Sequence, residues 1–213
     1  MFVTLEGIEG SGKTTQVEKI VAFFETRGYD CVTTREPGGT AIGAHIRRLL
    51  LDPGNTDLVP QAELLLYTAD RVQHIREVIA PALMRGCAVI CDRFFDATLV
   101  YQGYARGLDR SLIRSLHRLV CDDLQPDITL LLDLSPSLGL SRAWRRIQAG
   151  GPLQPESRFE QEAIAFHQRV REGYLDLARK EPQRFHIIDA AQEQDAVTRA
   201  VINVLNHRIA GGE

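Results

Sequence analysis

Eight consecutive residues carry the clearest chemistry in the chain: Gly7-Ile8-Glu9-Gly10-Ser11-Gly12-Lys13-Thr14 fits G-x-x-x-x-G-K-[ST]. The apolar run before it reads as a strand and the pattern after it as a helix, which is the setting this motif needs. Its glycines let backbone N–H groups converge on a phosphate at the positive end of the helix. Lys13 adds a compact charge for the β- and γ-phosphates, and the Thr14 hydroxyl can ligate Mg²⁺. Gly7, Ile8, Glu9, Gly10, Ser11, Gly12, Lys13, Thr14 and the adjoining Thr15 are therefore the expected site for a nucleoside triphosphate, ATP, with Mg²⁺ as its metal.

Such a cradle serves kinases, switches and transport motors alike. Neither an Asn-Lys-x-Asp guanine reader nor a Ser-Gly-Gly signature occurs, which argues against a GTPase switch and an ABC-type ATPase. A second cluster points to a kinase with an acceptor site. Arg35-Glu36-Pro37-Gly38-Gly39-Thr40 follows a strand and opens a helix, and Asp92-Arg93-Phe94 ends another strand. Both then reach the carboxyl edge of the sheet, beside the glycine-rich loop, where open α/β sheets bind ligands. Asp92 has the place of an acid that organises Mg²⁺ and its water, and Arg93 offers a guanidinium fork to a phosphate.

These residues need a frame that brings them to one edge. Apolar runs at 2–6, 31–35, 88–91, 128–133 and 186–188 alternate with helical patterns at 13–27, 40–51, 62–85, 112–121, 136–148, 159–181 and 191–208. That alternation implies parallel strands joined by right-handed crossovers and covered on both faces. The expected fold is α/β, a doubly wound five-stranded parallel sheet with helices on both faces. The 213 residues suit one domain, 1–213, with a mobile lid at about 142–158. The lid reading rests on 148–155, where two glycines and two prolines cannot continue a helix.

Composition narrows the partners. Lys+Arg 25 against Asp+Glu 28 leaves a net charge of -3, so no global basic field exists to hold a nucleic acid. No apolar run approaches the roughly 20 residues that cross a bilayer, and the N-terminus lacks the basic-then-apolar order of a secretory signal. Cys31, Cys87, Cys91 and Cys121 have no companion cluster for zinc and read as reduced thiols. The expectation is a cytoplasmic protein with small-molecule partners, engaging neither nucleic acid nor membrane.

Residues 5–16, the Arg35 to Thr40 block, Asp92-Arg93-Phe94 and Tyr101-Gln102-Gly103 together resemble the thymidylate kinase family of bacterial type, a likeness running from Met1 to the final helix. The resemblance implies transfer of the ATP γ-phosphoryl group onto dTMP, giving dTDP for DNA precursors, by a homodimer; 62–85 and 112–121 are its plausible contact faces. It implies that Glu9 lies between donor and acceptor, near the sugar 3′-hydroxyl or the magnesium shell, and that Lys13, Glu9 and Arg93 serve the reacting phosphates. It further implies that Tyr67 stacks on thymine, that Arg71 reads the base edge, and that Thr98 and Gln102 complete the base pocket. Tyr101 would crowd the 2′ position, and Glu36 and Pro37 would belong to the acceptor wall. By pattern alone Tyr67 reads equally as a core aromatic. Asp70 and Arg71 follow it at i+3 and i+4, so stacking and polar reading are expected on one face. Three positions depart from the family's pattern: Ala97 where a hydroxyl is common, Phe94 where Tyr or His is usual, and Ser157 where Asp often precedes Arg158-Phe159-Glu160.

Phosphoryl transfer asks for alignment and for positive charge on the moving group, and no arginine stands between the glycines of the loop. In the family it resembles, the lid supplies that charge. Arg142, Arg145 and Arg146 occupy i, i+3 and i+4 and so share a helix face; Arg142 and Arg146 are the expected catalytic pair, a solvated basic face being the plainer alternative. A deoxynucleoside kinase and an ATP-driven switch are the alternative functions. The acceptor separates them, because a monophosphate needs Arg35 and Arg93 as clamps and a nucleoside does not.

Overall fold

Which apolar runs can be buried on both faces decides their places in the sheet. In the computed structural model, which describes residues 1–149 and 157–210, β1 (Phe2–Glu6), β3 (Ala88–Asp92) and β4 (Ile128–Asp133) are buried almost throughout. The more polar β2 (Cys31–Arg35) and β5 (Phe185–Asp189) have exposed positions and form the edges. The order is β2-β3-β1-β4-β5 and every neighbouring pair is parallel. The chain leaves β1 for the β2 edge, returns through β3, and then crosses to β4. The order therefore reverses beside β1, opening a crevice past its carboxyl end.

The helices close both faces: α1 (Lys13–Glu25), α2 (Ala41–Leu51), α3 (Pro60–His74), α4 (Ala80–Met84), α5 (Phe95–Thr98), α6 (Arg110–Cys121), α7 (Pro136–Gln148), α8 (Ile164–Lys180) and α9 (Gln194–Ala210). Thr40 caps α2 by accepting from Gly43 N at 2.9 Å, and Asp109 caps α6 by accepting from Ser111 N at 2.7 Å. Phe2, Phe24, Phe94, Ile90 and Leu130 are buried in the core, where Phe2 meets Phe94 edge-on at 5.0 Å. Phe94 thus keeps the packing at a position where the resemblance led one to look for a polar ring.

Three elements differ from the sequence reading. The single helix expected over 62–85 is α3, a π-helical turn at Ile75–Ile79, and α4. Pro81 has no N–H for the Glu77 carbonyl and its ring crowds it, so the wider turn relieves both problems. A helical stretch not anticipated runs through α5 into a π-helical segment, Leu99–Ala105, in which six of the seven residues are buried. Burial nearly all round leaves no amphipathic stripe to read. The helix expected from 159 begins only at Ile164, because Arg158 N donates to Leu51 O and its guanidinium to Leu50 O, tying that stretch to the end of α2.

Residues 150–156, and with them most of the expected loop at 148–155 and the middle of the expected lid, lie outside the described residues. Among the described residues no helix is long and apolar enough to cross a membrane. The four cysteines are free thiols, with Cys87, Cys91 and Cys121 buried.

Candidate active site

Past the carboxyl ends of the strands lies one continuous open cavity. Its lining includes residues 9–15 of the glycine-rich loop and the first turn of α1, Arg35, Glu36 and Pro37 at the end of β2, Tyr67 and Arg71 on α3, and Asp92, Arg93 and Phe94 at the end of β3. Ala97, Thr98, Tyr101 and Gln102 complete a wall. The two clusters that are 20 or more residues apart in sequence therefore share one space. Gly7 and Ile8 do not line it: a Cβ on Gly7 would fall 2.5 Å from Leu132 O, and the Ile8 side chain is buried beneath the loop.

The loop keeps its shape through backbone that only glycine adopts freely: Gly10 has φ 72° and Gly12, which caps α1, φ 95°. Helix α7 presses on it, and a Cβ on Gly139 would stand 2.5 Å from Glu9 O and 2.6 Å from Ile8 Cδ1. Lys13 folds inward, its Nζ donating to Ile8 O at 3.0 Å and Gly7 O at 3.2 Å. Burial, and then Arg93, depress its ammonium to a pKa of about 8.

Glu9 is the hub of the site. Its Oε1 accepts from Tyr101 Oη at 2.6 Å and from Arg93 Nη2 at 3.0 Å, and His167 Nδ1 approaches Oε2 at 3.2 Å. Burial works against its charge, but the His167 contact and Arg93 outweigh it and hold the carboxyl far below the usual carboxylate range. Arg93 has a left-handed backbone, φ 68°, kept by its N–H on Leu5 O. Behind it, Tyr174 Oη accepts from Arg93 Nη1 at 3.1 Å and donates to Glu6 Oε2 at 2.6 Å, while Glu6 Oε1 accepts from Phe94 N. Burial, and then Asp96, raise the Glu6 carboxyl to a pKa of about 7.

On the other side, buried Arg71 donates Nε to Glu36 Oε2 at 2.8 Å and Nη2 to Thr98 Oγ1 at 2.8 Å. Glu36 is held in turn by His74 Nδ1 at 2.9 Å, and His74 Nε2 lies 2.5 Å from Thr34 Oγ1. The Glu36–Pro37 peptide is cis. Tyr67 and Arg71 line the cavity together as the i, i+4 spacing led us to expect, but Asp70 does not join them. It is fully buried against the turn after β2, accepting from Gly38 N at 3.0 Å, and burial followed by Glu36 raises its carboxyl to about 6.

For a magnesium ion, Thr14 offers an exposed hydroxyl, and Asp92 Oδ1 is buried with no hydrogen-bond partner among the described residues. A carboxylate oxygen with no partner and a hydroxyl that line the same cavity fit a hard cation that takes its other ligands from phosphate and water. No cluster of three or more His, Cys, Asp or Glu that could cage a metal occurs among the described residues.

Arg142 is not among the cavity's lining residues; its Nη1 donates to Ala190 O, after β5, at 3.0 Å. Arg146 lies on α7, with its side chain outside what is described. Arg158 is committed elsewhere, 2.7 Å from Glu63 Oε2. Sequence reasoning missed Arg47, which lines the cavity and donates to Pro37 O at 2.8 Å, and the supports His74, Glu63, His167 and Tyr174. Each of these sits in a helix without a motif; the only trace is a polar residue on a face otherwise apolar.

Comparison with known proteins agrees with this geometry. A family model described as thymidylate kinase matches residues 5–201. The chain is 60% identical over 190 residues to a thymidylate kinase of Desulfosudis oleivorans, covering 89% of each chain. It is 51% identical over 208 residues to that of Geobacter sulfurreducens, covering 98% of this chain and 97% of the other. The crystal structure of thymidylate kinase from Ehrlichia chaffeensis superposes with a TM-score of 0.75 at 38% identity, covering 97% of this chain and 98% of that one.

Proposed function

The chain belongs to the thymidylate kinase family, and from that premise we propose how its residues divide the work of phosphorylating dTMP to dTDP with ATP. The donor triphosphate lies on residues 9–15, where backbone N–H groups and Lys13 take its β/γ charge. The acceptor lies between Tyr67, which stacks on the base, and the guanidiniums of Arg71, Arg93 and Arg35. The observation that carries this reading is the continuity of one cavity from the glycine-rich loop to Tyr67 and Arg71.

The reaction needs the acceptor phosphate oxygen held in line with the γ-phosphorus, so most of the protein's contribution is alignment and charge. Arg93, pinned between Glu9 and Tyr174, is placed to bridge the two phosphate groups. Glu9 orients Arg93 and Tyr101 and faces the acceptor sugar. Tyr101 crowds the 2′ position, Glu36 orients Arg71 and, with Pro37, walls the pocket, and Thr98 and Gln102 border the base. Mg²⁺, which Thr14 and Asp92 would hold, supplies neutralisation of the phosphate charge when bound. Arg142 and Arg146, in a lid at about 142–158 of a single domain, are the proposed source of charge on the moving group, worth about 10³–10⁵ in rate by the usual scale of such arginines. We read the enzyme as a cytoplasmic homodimer; four free thiols favour a reducing compartment.

An ADP-release assay with dTMP, dUMP, thymidine, CMP and AMP in parallel tests the acceptor assignment. Strong preference for dTMP is expected, with a large rise in KM for dTMP when Tyr67 or Arg71 is replaced by Ala; a thymidine preference overturns it. Single replacement of Arg142, Arg145 and Arg146 by Ala is expected to cut kcat far more than ATP affinity for at least one of them.

A further inference from the structure

The wall of the acceptor pocket hangs on a carboxylate that does not line the cavity. The Glu63 side chain on α3 is fully buried, yet three cationic or amide groups from two other parts of the chain converge on it. Gln102 Nε2 donates to Oε1 at 2.7 Å, Arg158 Nη1 reaches Oε2 at 2.7 Å, and Arg106 Nε approaches Oε1 at 3.4 Å. Gln102 itself is almost wholly buried and lines the cavity beside Tyr67. A carboxylate has no proton to give, so it can accept only the N–H₂ of this amide. Turned over, Gln102 would set a carbonyl oxygen against a buried negative charge. Its orientation is therefore decided by Glu63, and its Oε1 is the polar atom left for a ligand.

We propose that Glu63 is a positioning residue that sets pyrimidine selection by locking the Gln102 amide with its oxygen available to the acceptor base. An oxygen acceptor pairs with the N3–H of a 4-keto pyrimidine and opposes the bare N3 of a 4-amino pyrimidine. A buried polar group left facing the wrong partner is the strongest basis of discrimination that a pocket has. The inference rests on the acceptor reading above, and Gln102→Ala separates the two failures: an unchanged KM for dTMP in that variant defeats the placement of the base and the proposal with it, whereas a raised KM there with an unchanged dTMP:dCMP ratio in Glu63→Gln defeats the role of Glu63 alone.

The decisive measurement is kcat/KM for dTMP relative to dCMP. In Glu63→Gln the residue at 63 can donate or accept, so Gln102 is free to turn, and the dTMP:dCMP ratio is expected to fall at least tenfold. The exchanged pair Glu63→Gln with Gln102→Glu restores an acceptor-only group toward the cavity and is expected to recover most of that ratio. An unchanged ratio in Glu63→Gln overturns the proposal. Should that variant not fold, the wild-type enzyme decides: the Gln102 Nε2 protons are expected to be protected from solvent exchange without nucleotide, and rapid exchange overturns the lock.

Discussion

Glu6 shows how a single residue can be placed at a cost in stability to hold another in position. It stands at the end of β1 with no exposure, anchoring Phe94 N and, through Tyr174, the Arg93 guanidinium. Its pKa rises from 4.5 to about 7. Between those values the folded state holds a proton that the unfolded chain has released, so the stability this group allows is present at low pH and lost as pH rises through 7. The loss amounts to about 3 kcal/mol at 1.36 kcal/mol per unit. Replacing Glu6 with Gln removes the titration, so the variant's melting temperature relative to wild type is expected to be higher at pH 8 than at pH 5. A difference that does not change with pH would mean that Glu6 stays ionised in the folded protein. At this same scale the motifs were legible and their supports were not. Lys13, Asp92 and Arg93 stand in recognisable strings, whereas His74 and Tyr174 act through neighbours 38 and 81 residues away, such as Glu36 and Arg93.

Among elements, the contact of α7 with the glycine-rich loop is the tightest in the site. Gly10 and Gly139 face one another, and a Cβ on Gly139 has backbone of the loop in its way. Neither a helix end nor a phosphate loop can retreat without moving the residues it carries. Gly139→Ala is therefore expected to destabilise the enzyme by about 1–3 kcal/mol, the usual range for overpacking, and to raise the KM for ATP. Thermal denaturation and steady-state kinetics together check it, and wild-type values of both would show that the contact yields easily. The π-helical segment at Leu99–Ala105 makes the complementary point. Its Tyr101 and Gln102 line the cavity, but because the segment is buried on nearly every side no period marks it as a helix.

For the molecule as a whole, the proposed pairing of two copies has a definite surface to use. Helices α3 and α6 pack on one another, and they leave Leu65 57%, Leu112 53% and Leu119 77% exposed. Leu112 and Leu119 are seven residues apart and so share a face of α6. Sedimentation of the wild-type enzyme at micromolar concentration is expected to give a dimer, and Leu119→Asp combined with Leu65→Asp a monomer. A dimer that survives both substitutions would place the interface elsewhere.

Local order is written in the sequence itself. The strand-loop-helix around Gly7 to Thr14, the five parallel strands and the strand-end position of Asp92-Arg93 follow from periodicity and from backbone demands that act over a few residues. What required the folded chain was which distant groups meet. The reversal of strand order beside β1, the hold of Glu6 and Tyr174 on Arg93, and the convergence of Gln102, Arg106 and Arg158 on Glu63 are contacts across 39 to 168 residues. Such contacts are decided by burial, which forces each enclosed charge to find a partner wherever the packing brings one.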